Sequence, residues 1–284
     1  MKIGLINEIK TDENRVALLP DQLRQLHENG HEIFVESGAG ARAGFVDTEY
    51  QAAGGRITSK KQVLAEAELL LKVKAPQASE ILDYSAAQTL FTYLHFDENI
   101  PPEKIRELIK SGFMGIAYEW VEAKGRYPLL EPMSILSGYL FAQKAVQLCT
   151  EHKGLLCGDY EGLYEGAGIM IIGIGTIGAS ALKYAIDNHL QITVVDKKPL
   201  ELNQRLNRRF NTGKKDYLRD YMIEVIPFDM QKPEKTKNYL AEIMDQYDII
   251  INCAVRRPDL PKEKMEYLID RKMAGSMKKG SVIC

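Results

Sequence analysis

The chain has 284 residues, with 37 Lys+Arg against 39 Asp+Glu, a formal net charge of -2 and a hydrophobic fraction of 45%. That length sustains two domains with their own cores, and the near-neutral balance gives no electrostatic footprint for nucleic acid or an anionic membrane. The longest apolar stretches, such as residues 170–172 and 249–251, are far too short to span a bilayer, and the opening Met1-Lys2-Ile3-Gly4-Leu5 lacks a signal-peptide core, so a soluble cytoplasmic protein is expected.

Strand-like apolar runs alternate with helix-like segments throughout, which predicts an α/β protein with parallel sheets. Residues 2–6 read as a buried strand. Pro20 starts a helix that stops at Asn29-Gly30, and residues 31–35 supply the next strand. A short helix over 61–68 leads into the strand 69–74, whose alternation sets Lys72 and Lys74 on one face opposite Leu71 and Val73. The strand 89–94 delivers His95 at its carboxyl end. Pro101-Pro102 opens a further helix, and residues 115–119 read as the last strand of this half.

After a helix running from Met133 through Cys149 the pattern restarts, which places the domain boundary at Ser134: residues 1–133 form one domain and 134–284 a second. The second half reads as strand 168–173, helix 176–188, strand 191–196, a helix from Pro199, strand 224–227, helix 233–244 and strand 248–253. This order is that of a Rossmann-type, doubly wound parallel sheet. A final strand begins at Ser281 and the chain stops within it, so the second domain reads as incomplete at its carboxyl end and the chain as a piece of something longer. Cys149, Cys157, Cys253 and Cys284 show no CxxC pairing, which favours reduced packing residues and predicts no metal site.

Gly173-Ile174-Gly175-Thr176-Ile177-Gly178 is a GxGxxG that follows an apolar strand and opens a helix. Gly173 permits the tight turn, Gly175 lets a pyrophosphate approach the backbone, and Gly178 lets the helix pack on the sheet. The free N–H groups at the helix start face the phosphates. Asp196 ends the second strand, where an acidic side chain hydrogen-bonds the adenosine ribose hydroxyls, so NAD is the expected cofactor. Lys197-Lys198 just beyond leaves room for the 2′-phosphate of NADP. Cys253 and Ala254, at the end of the strand 248–253, are counted with the cofactor-binding set.

A dinucleotide domain behind a separate α/β domain suggests a small-molecule substrate between them, so polar residues at strand ends of the first half become candidates. Arg15 follows the first strand and could hold a carboxylate through two parallel hydrogen bonds, or be a solvated loop arginine. Lys74 ends its strand beside Lys72. Two lysines inside an apolar run are costly unless they serve a ligand or a partner acid. His95 at a strand end could exchange a proton with a substrate.

The strings Glu8-Ile9-Lys10, Asn14-Arg15-Val16-Ala17-Leu18-Leu19-Pro20, Glu36-Ser37-Gly38-Ala39-Gly40, Leu69-Leu70-Leu71-Lys72-Val73-Lys74-Ala75-Pro76, Leu90-Phe91-Thr92-Tyr93-Leu94-His95, Ala117-Tyr118-Glu119 and Pro128-Leu129-Leu130-Glu131-Pro132-Met133-Ser134 carry, in this order, a resemblance to the alanine dehydrogenase and transhydrogenase family. The resemblance implies that Arg15 and Lys74 bind the carboxylate and oxygen atoms of pyruvate and that His95 takes part in acid–base chemistry. It also implies that Met133 packs on the nicotinamide side and Ser134 lies near the diphosphate, with Tyr118 and Glu119 in support. The implied reaction is reversible reductive amination of pyruvate with ammonia and NADH, by a homo-oligomer. The family's catalytic aspartate falls beyond the strand that begins at Ser281. Arg256-Arg257, in a loop that is uncharged in alanine dehydrogenases, keeps open a synthase that joins pyruvate to an amino acid, like the carboxyethylornithine synthases. A nucleotide-binding transhydrogenase-type subunit and a non-catalytic NAD sensor are further alternatives.

Overall fold

A computed structural model of the chain describes residues 1–95, 102–154, 158, 166–254 and 267–284, apart from the side chains of Leu82, Pro102, Lys104 and Leu108. The chain divides into two compact units, Met1–Leu130 and Glu131–Cys284.

In the first unit the strands are β1 (Lys2–Leu5), β2 (Glu32–Glu36), β3 (Arg56–Thr58), β4 (Leu69–Lys74), β5 (Thr89–Tyr93) and β6 (Met114–Ala117), in the sheet order β3-β2-β1-β4-β5-β6. Every pairing is parallel. The helices are α1 (Pro20–Glu28), α2 (Asp47–Ala52), α3 (Lys60–Glu66) and α4 (Pro102–Ser111). Pro20 sits at the first turn of α1, where its missing N–H costs nothing, and the Ser59 hydroxyl accepts from Gln62 N–H at the start of α3. One apolar cluster gathers Ile3, Leu5, Leu23, Ile33 and Val35, and another gathers Ile6, Phe34, Val63, Leu70 and Leu90. Neighbouring residues of one strand fall in different clusters because a parallel sheet is covered on both faces.

The second unit opens with the long helix α5 (Leu130–Lys153, its first residue still in the first unit) and continues β7 (Gly168–Ile172), α6 (Thr176–Asp187), β8 (Gln191–Asp196), α7 (Leu202–Phe210), α8 (Tyr217–Asp220), β9 (Glu224–Pro227), α9 (Pro233–Ile243), β10 (Ile249–Asn252), α10 (Arg271–Ser276) and β11 (Val282–Ile283). Its sheet order is β11-β10-β7-β8-β9, again parallel throughout. Both sheets therefore wind outward from a central strand in two directions. Each has a switch point, β1/β4 in the first and β7/β10 in the second, and in such sheets ligands sit beyond the strands' carboxyl ends there.

At the opposite end of the second sheet, Asp248 is buried and accepts from Lys153 Nζ and Gly168 N–H, with Lys278 Nζ at 3.5 Å. The acid ties the end of α5 to the start of β7. No helix among the described residues is long and apolar enough to cross a membrane.

The expected α/β class with two parallel sheets is what the structure has. Two local expectations change, and one strand was not expected. Residues 118–120 form a 3-10 turn, so Tyr118 and Glu119 lie just past β6 instead of within it. The register between β4 and β5 shifts between Leu71 and Lys74, so strict alternation does not carry through to Lys74. Strand β3, on the edge of its sheet, had no distinct sequence signal.

Candidate functional site

In the first unit, residues at the ends of β1, β4, β5 and β6 supply charged and aromatic groups at one end of the sheet. The innermost are buried. Lys72 Nζ donates to Glu80 Oε1 at 3.0 Å and lies 3.4 Å from Glu8 Oε2, and all three side chains are at most 5% exposed. The partner acid that a lysine in an apolar run requires is thus present twice. Glu8 has a second task. Its Oε1 accepts from the N–H groups of Val73 (2.5 Å) and Lys74 (3.3 Å), where the register shift leaves β4 backbone without a ladder partner. Burial pushes the Glu8 carboxyl above its ordinary value, against the pull of Lys72.

Lys74 is half-buried opposite Tyr93 of β5. Burial, and then the charges of Lys10 and Arg15, hold its ammonium below the usual lysine value. Arg15 is fixed by Glu13: Nε donates to Oε1 at 2.7 Å and one Nη to Oε2 at 2.6 Å, in a side-on pair. The pairing with Arg15 holds the Glu13 carboxyl below its usual range. Arg15 is therefore an oriented cation near Lys74, and not a loosely solvated loop arginine.

His95 has φ 51°, in the left-handed region, and its N–H donates to Glu119 Oε1 at 2.5 Å. The conformation is costly for a non-glycine residue and persists where neighbours determine it. Tyr93 stacks on the imidazole with ring centroids 5.8 Å apart, and Tyr118 meets Tyr93 edge-on at 5.0 Å. Sequence reasoning set Glu119 only in a supporting place. Its position two residues beyond β6 lets its carboxylate bond the end of β5 next door. Arg15, Lys74 and His95 thus come to the carboxyl-end side of one sheet, with Glu8, Glu13 and Glu119 holding the backbone or side chain of each.

The glycine turn lies at the second switch point. Gly173 has φ 84°, and a Cβ there would stand 3.0 Å from the N and Cα of Ala254. Cys253 and Ala254, beyond β10, cross directly over the turn, and Cys253 N–H donates to Ile172 O at 2.8 Å. Burial pushes the Cys253 thiol up to about 11. A Cβ on Gly178 would lie 2.0 Å from Gly173 O, so α6 begins as close to the turn as a backbone can. By contrast, a Cβ on Gly175 would meet nothing within 4 Å. The turn thus leaves an open space at Gly175, before the unpaired N–H groups that begin at Thr176, and the residues present fit a dinucleotide's phosphates.

Helix α5 reaches this turn as well. A Cβ on Gly138 would stand 2.1 Å from Ile177 O, and Ser180 Oγ donates to Ile135 O at 2.6 Å. Met133 and Ser134 lie on the turn of α5 that precedes this contact, and Met133 O accepts from Ser137 Oγ at 2.8 Å.

Asp196 ends β8, where the spacing set it, but its carboxylate is fully engaged. Oδ1 accepts from Lys198 N–H and Arg205 Nη, and Oδ2 from Ile174 N–H and the other Arg205 Nη, all within 2.8–3.0 Å. Burial raises the carboxyl, and these bonds outweigh it and hold it below its usual range. Arg205 carries no signal in the sequence, since only the fold of α7 brings it back to the strand end. Cys157 and Arg256-Arg257 lie outside the described residues.

Paired parallel sheets, the second with a glycine turn at its switch point, define a two-unit α/β protein with a Rossmann-type half. Residues 4–137 match the family description "Alanine dehydrogenase/PNT, N-terminal domain" and residues 139–284 match "Alanine dehydrogenase/PNT, C-terminal domain". The chain belongs to this family, as the motif strings of its first half implied. It is 33% identical to an alanine dehydrogenase of Methanococcus maripaludis and 35% identical to one of Bacillus subtilis; both similarities span the whole chain and cover 71% and 69% of those proteins. A solved L-alanine dehydrogenase matches with a TM-score of 0.78 at 30% identity, over all of this chain and 73% of that one. A transhydrogenase from Sinorhizobium meliloti, 24% identical with a TM-score of 0.74, shares the fold over all of this chain and 77% of its own.

Proposed function

We propose that the chain is an NAD-dependent oxidoreductase acting on an amino group, of the alanine dehydrogenase kind. The observation that carries this reading is the convergence of Arg15, Lys74 and His95 beyond the strand ends of the first unit. On this reading residues 1–133 take the substrate and residues 134–284 take the dinucleotide. Self-association belongs to the same proposal.

Arg15, held side-on by Glu13, is oriented to bind the carboxylate of a 2-keto acid such as pyruvate. Lys74 donates to the keto oxygen and polarises the carbonyl toward attack by ammonia. A lysine whose proton is held less tightly than usual suits that place, because it can also release the proton as the oxygen leaves. His95 exchanges the proton of the attacking amine, its backbone fixed by Glu119. Gly175 and the start of α6 take the diphosphate, with Ser134 beside it and Met133 toward the nicotinamide. NADH, when bound, supplies the hydride that reduces the imine carbon. Overall, pyruvate, ammonium, NADH and a proton give alanine, NAD and water.

The test is NADH oxidation at saturating pyruvate with ammonia in one arm and ornithine or lysine in the other. Turnover with ammonia is the expected result. Turnover only with the diamino acid replaces the reading with a synthase, and silence in both arms with NADH bound replaces it with a sensor or a transhydrogenase-type subunit.

A further inference from the structure

The family reading takes a ribose with free hydroxyls at Asp196, yet the structure has already filled that carboxylate. Each oxygen accepts two hydrogen bonds, one from a backbone N–H and one from the Arg205 guanidinium. An Asp that rejects a 2′-phosphate does so through uncompensated negative charge beside the ribose, and through two free acceptors for its hydroxyls. Here the charge is neutralised at 2.9 Å by a side chain about one-quarter exposed, and the acceptors are taken.

The surroundings are cationic. Arg205 also donates to Ile174 O at 3.2 Å, inside the glycine turn, while its Nε is buried and has no hydrogen-bond partner. One turn further along α7, Arg209 donates to Thr176 Oγ1 at 2.9 Å, at the first residue of α6. Lys197 is exposed immediately past Asp196, and Lys198 beside it pairs with Glu201. Two arginines of one helix face thus bridge α7 to the nucleotide turn. Three of the five Arg205 donors are engaged and the Nε–H is buried, so one Nη N–H, together with the guanidinium charge, remains for a second anion.

We propose that Arg205 makes this site accept the 2′-phosphorylated dinucleotide, NADP(H), alongside NAD(H), with Asp196 serving to hold the guanidinium and not to read the ribose. Arg209 and Lys197 add positive charge around the phosphate. This rests on the dinucleotide reading of the second unit. Specificity between the two cofactors is then decided by α7, outside the glycine fingerprint.

The experiment is fluorescence titration of the full chain with NADH and with NADPH, which needs no substrate and no turnover. The expected result is dissociation constants within about tenfold of each other. Arg205→Leu, which uncovers the Asp196 charge, should raise the NADPH constant relative to NADH by tenfold or more, while Arg205→Lys keeps part of the NADPH affinity. Should Arg205→Leu fail to fold, Lys197→Glu together with Arg209→Gln supplies a second reading in the same direction. NADH binding with NADPH weaker by more than a hundredfold in the unaltered chain overturns the proposal and leaves the dinucleotide reading standing, as does a ratio that no variant moves. Absence of binding by both nucleotides overturns the dinucleotide reading itself, and the proposal with it.

Discussion

Gly175 and Gly178 stand three residues apart in one turn, and alanine at the two positions should fail in opposite ways. At Gly175 the backbone is extended (φ -83°, ψ -152°), a conformation open to alanine, and the added methyl meets no atom within 4 Å. Loss of a flexible residue from the unfolded chain stabilises by roughly 0.4–1 kcal/mol, and replacing glycine at a helix N-cap costs a similar amount, so the net change in stability should stay within about 1 kcal/mol. The methyl does, however, enter the space where a pyrophosphate would approach the turn. A tenfold or greater loss of NADH affinity is expected, about 1.4 kcal/mol or more. At Gly178 the methyl carbon would lie 2.0 Å from the carbonyl oxygen of Gly173, and both atoms are fixed by backbone. Helix α6 would have to withdraw by roughly 1 Å or more, on the order of 1–3 kcal/mol or more for an overpacked contact. For a unit of this size that is a fall in Tm of roughly 3–10 °C. Circular dichroism melting and NADH fluorescence titration on the two variants measure both quantities. Undiminished NADH binding by Gly175→Ala refutes the placement of the pyrophosphate, and an unaltered melt for Gly178→Ala refutes the close approach of helix and turn.

Two other predictions concern the first unit. Lys74→Ala should raise the KM for the keto acid by at least tenfold with NADH affinity unchanged; an equal loss of both would show that Lys74 serves the fold and not the substrate. Lys72→Met leaves Glu8 buried without its cation and Glu80 with only Lys60 Nζ, 3.9 Å away, and should cost about 3–5 kcal/mol. The loss should depend on pH with a fixed sign. Glu8 already has a raised pKa in the folded state, so its contribution is most favourable below the ordinary carboxylate range and is lost as pH rises through the folded value. The variant should therefore be closer to the unaltered chain at pH 5 than at pH 8 in urea unfolding, and a gap that widens toward low pH would contradict the assignment of Glu8 as the abandoned partner.

Most of the element order was legible because parallel strands buried on both faces print as short, wholly apolar runs, as residues 69–71 and 249–251 do. What escaped was decided by partners distant in sequence. Strand β3 has only three residues, and the register of Phe34 with Arg56 is what makes it a strand. The need of Lys72 for an acid was readable from its apolar setting, whereas the identity of the acids was not, since Glu8 arrives from the neighbouring β1 and Glu80 from the loop beyond β4. The glycine fingerprint was readable because each glycine answers a local steric demand. The state of Asp196 was not, because nothing about a helix starting at Leu202 announces which of its residues faces the preceding strand end. Lys74 lies at the end of β4 and His95 two residues past β5, with Arg15 in the loop that follows β1, and the carboxylates of Glu8, Glu13 and Glu119 that hold them are what the structure adds.

The contact between Gly138 and Ile177 bears on where this chain can be cut. The two family matches meet between residues 137 and 139, in the middle of α5, whereas the packing divides the chain at the start of that helix, between Leu130 and Glu131. A nucleotide half expressed from residue 139 would discard Gly138, the Ile135 carbonyl that Ser180 bonds, and the turn that carries Met133 and Ser134. Exchange of halves between relatives should accordingly be spliced ahead of residue 130, so that the glycine and the peptide group it accommodates descend from the same parent.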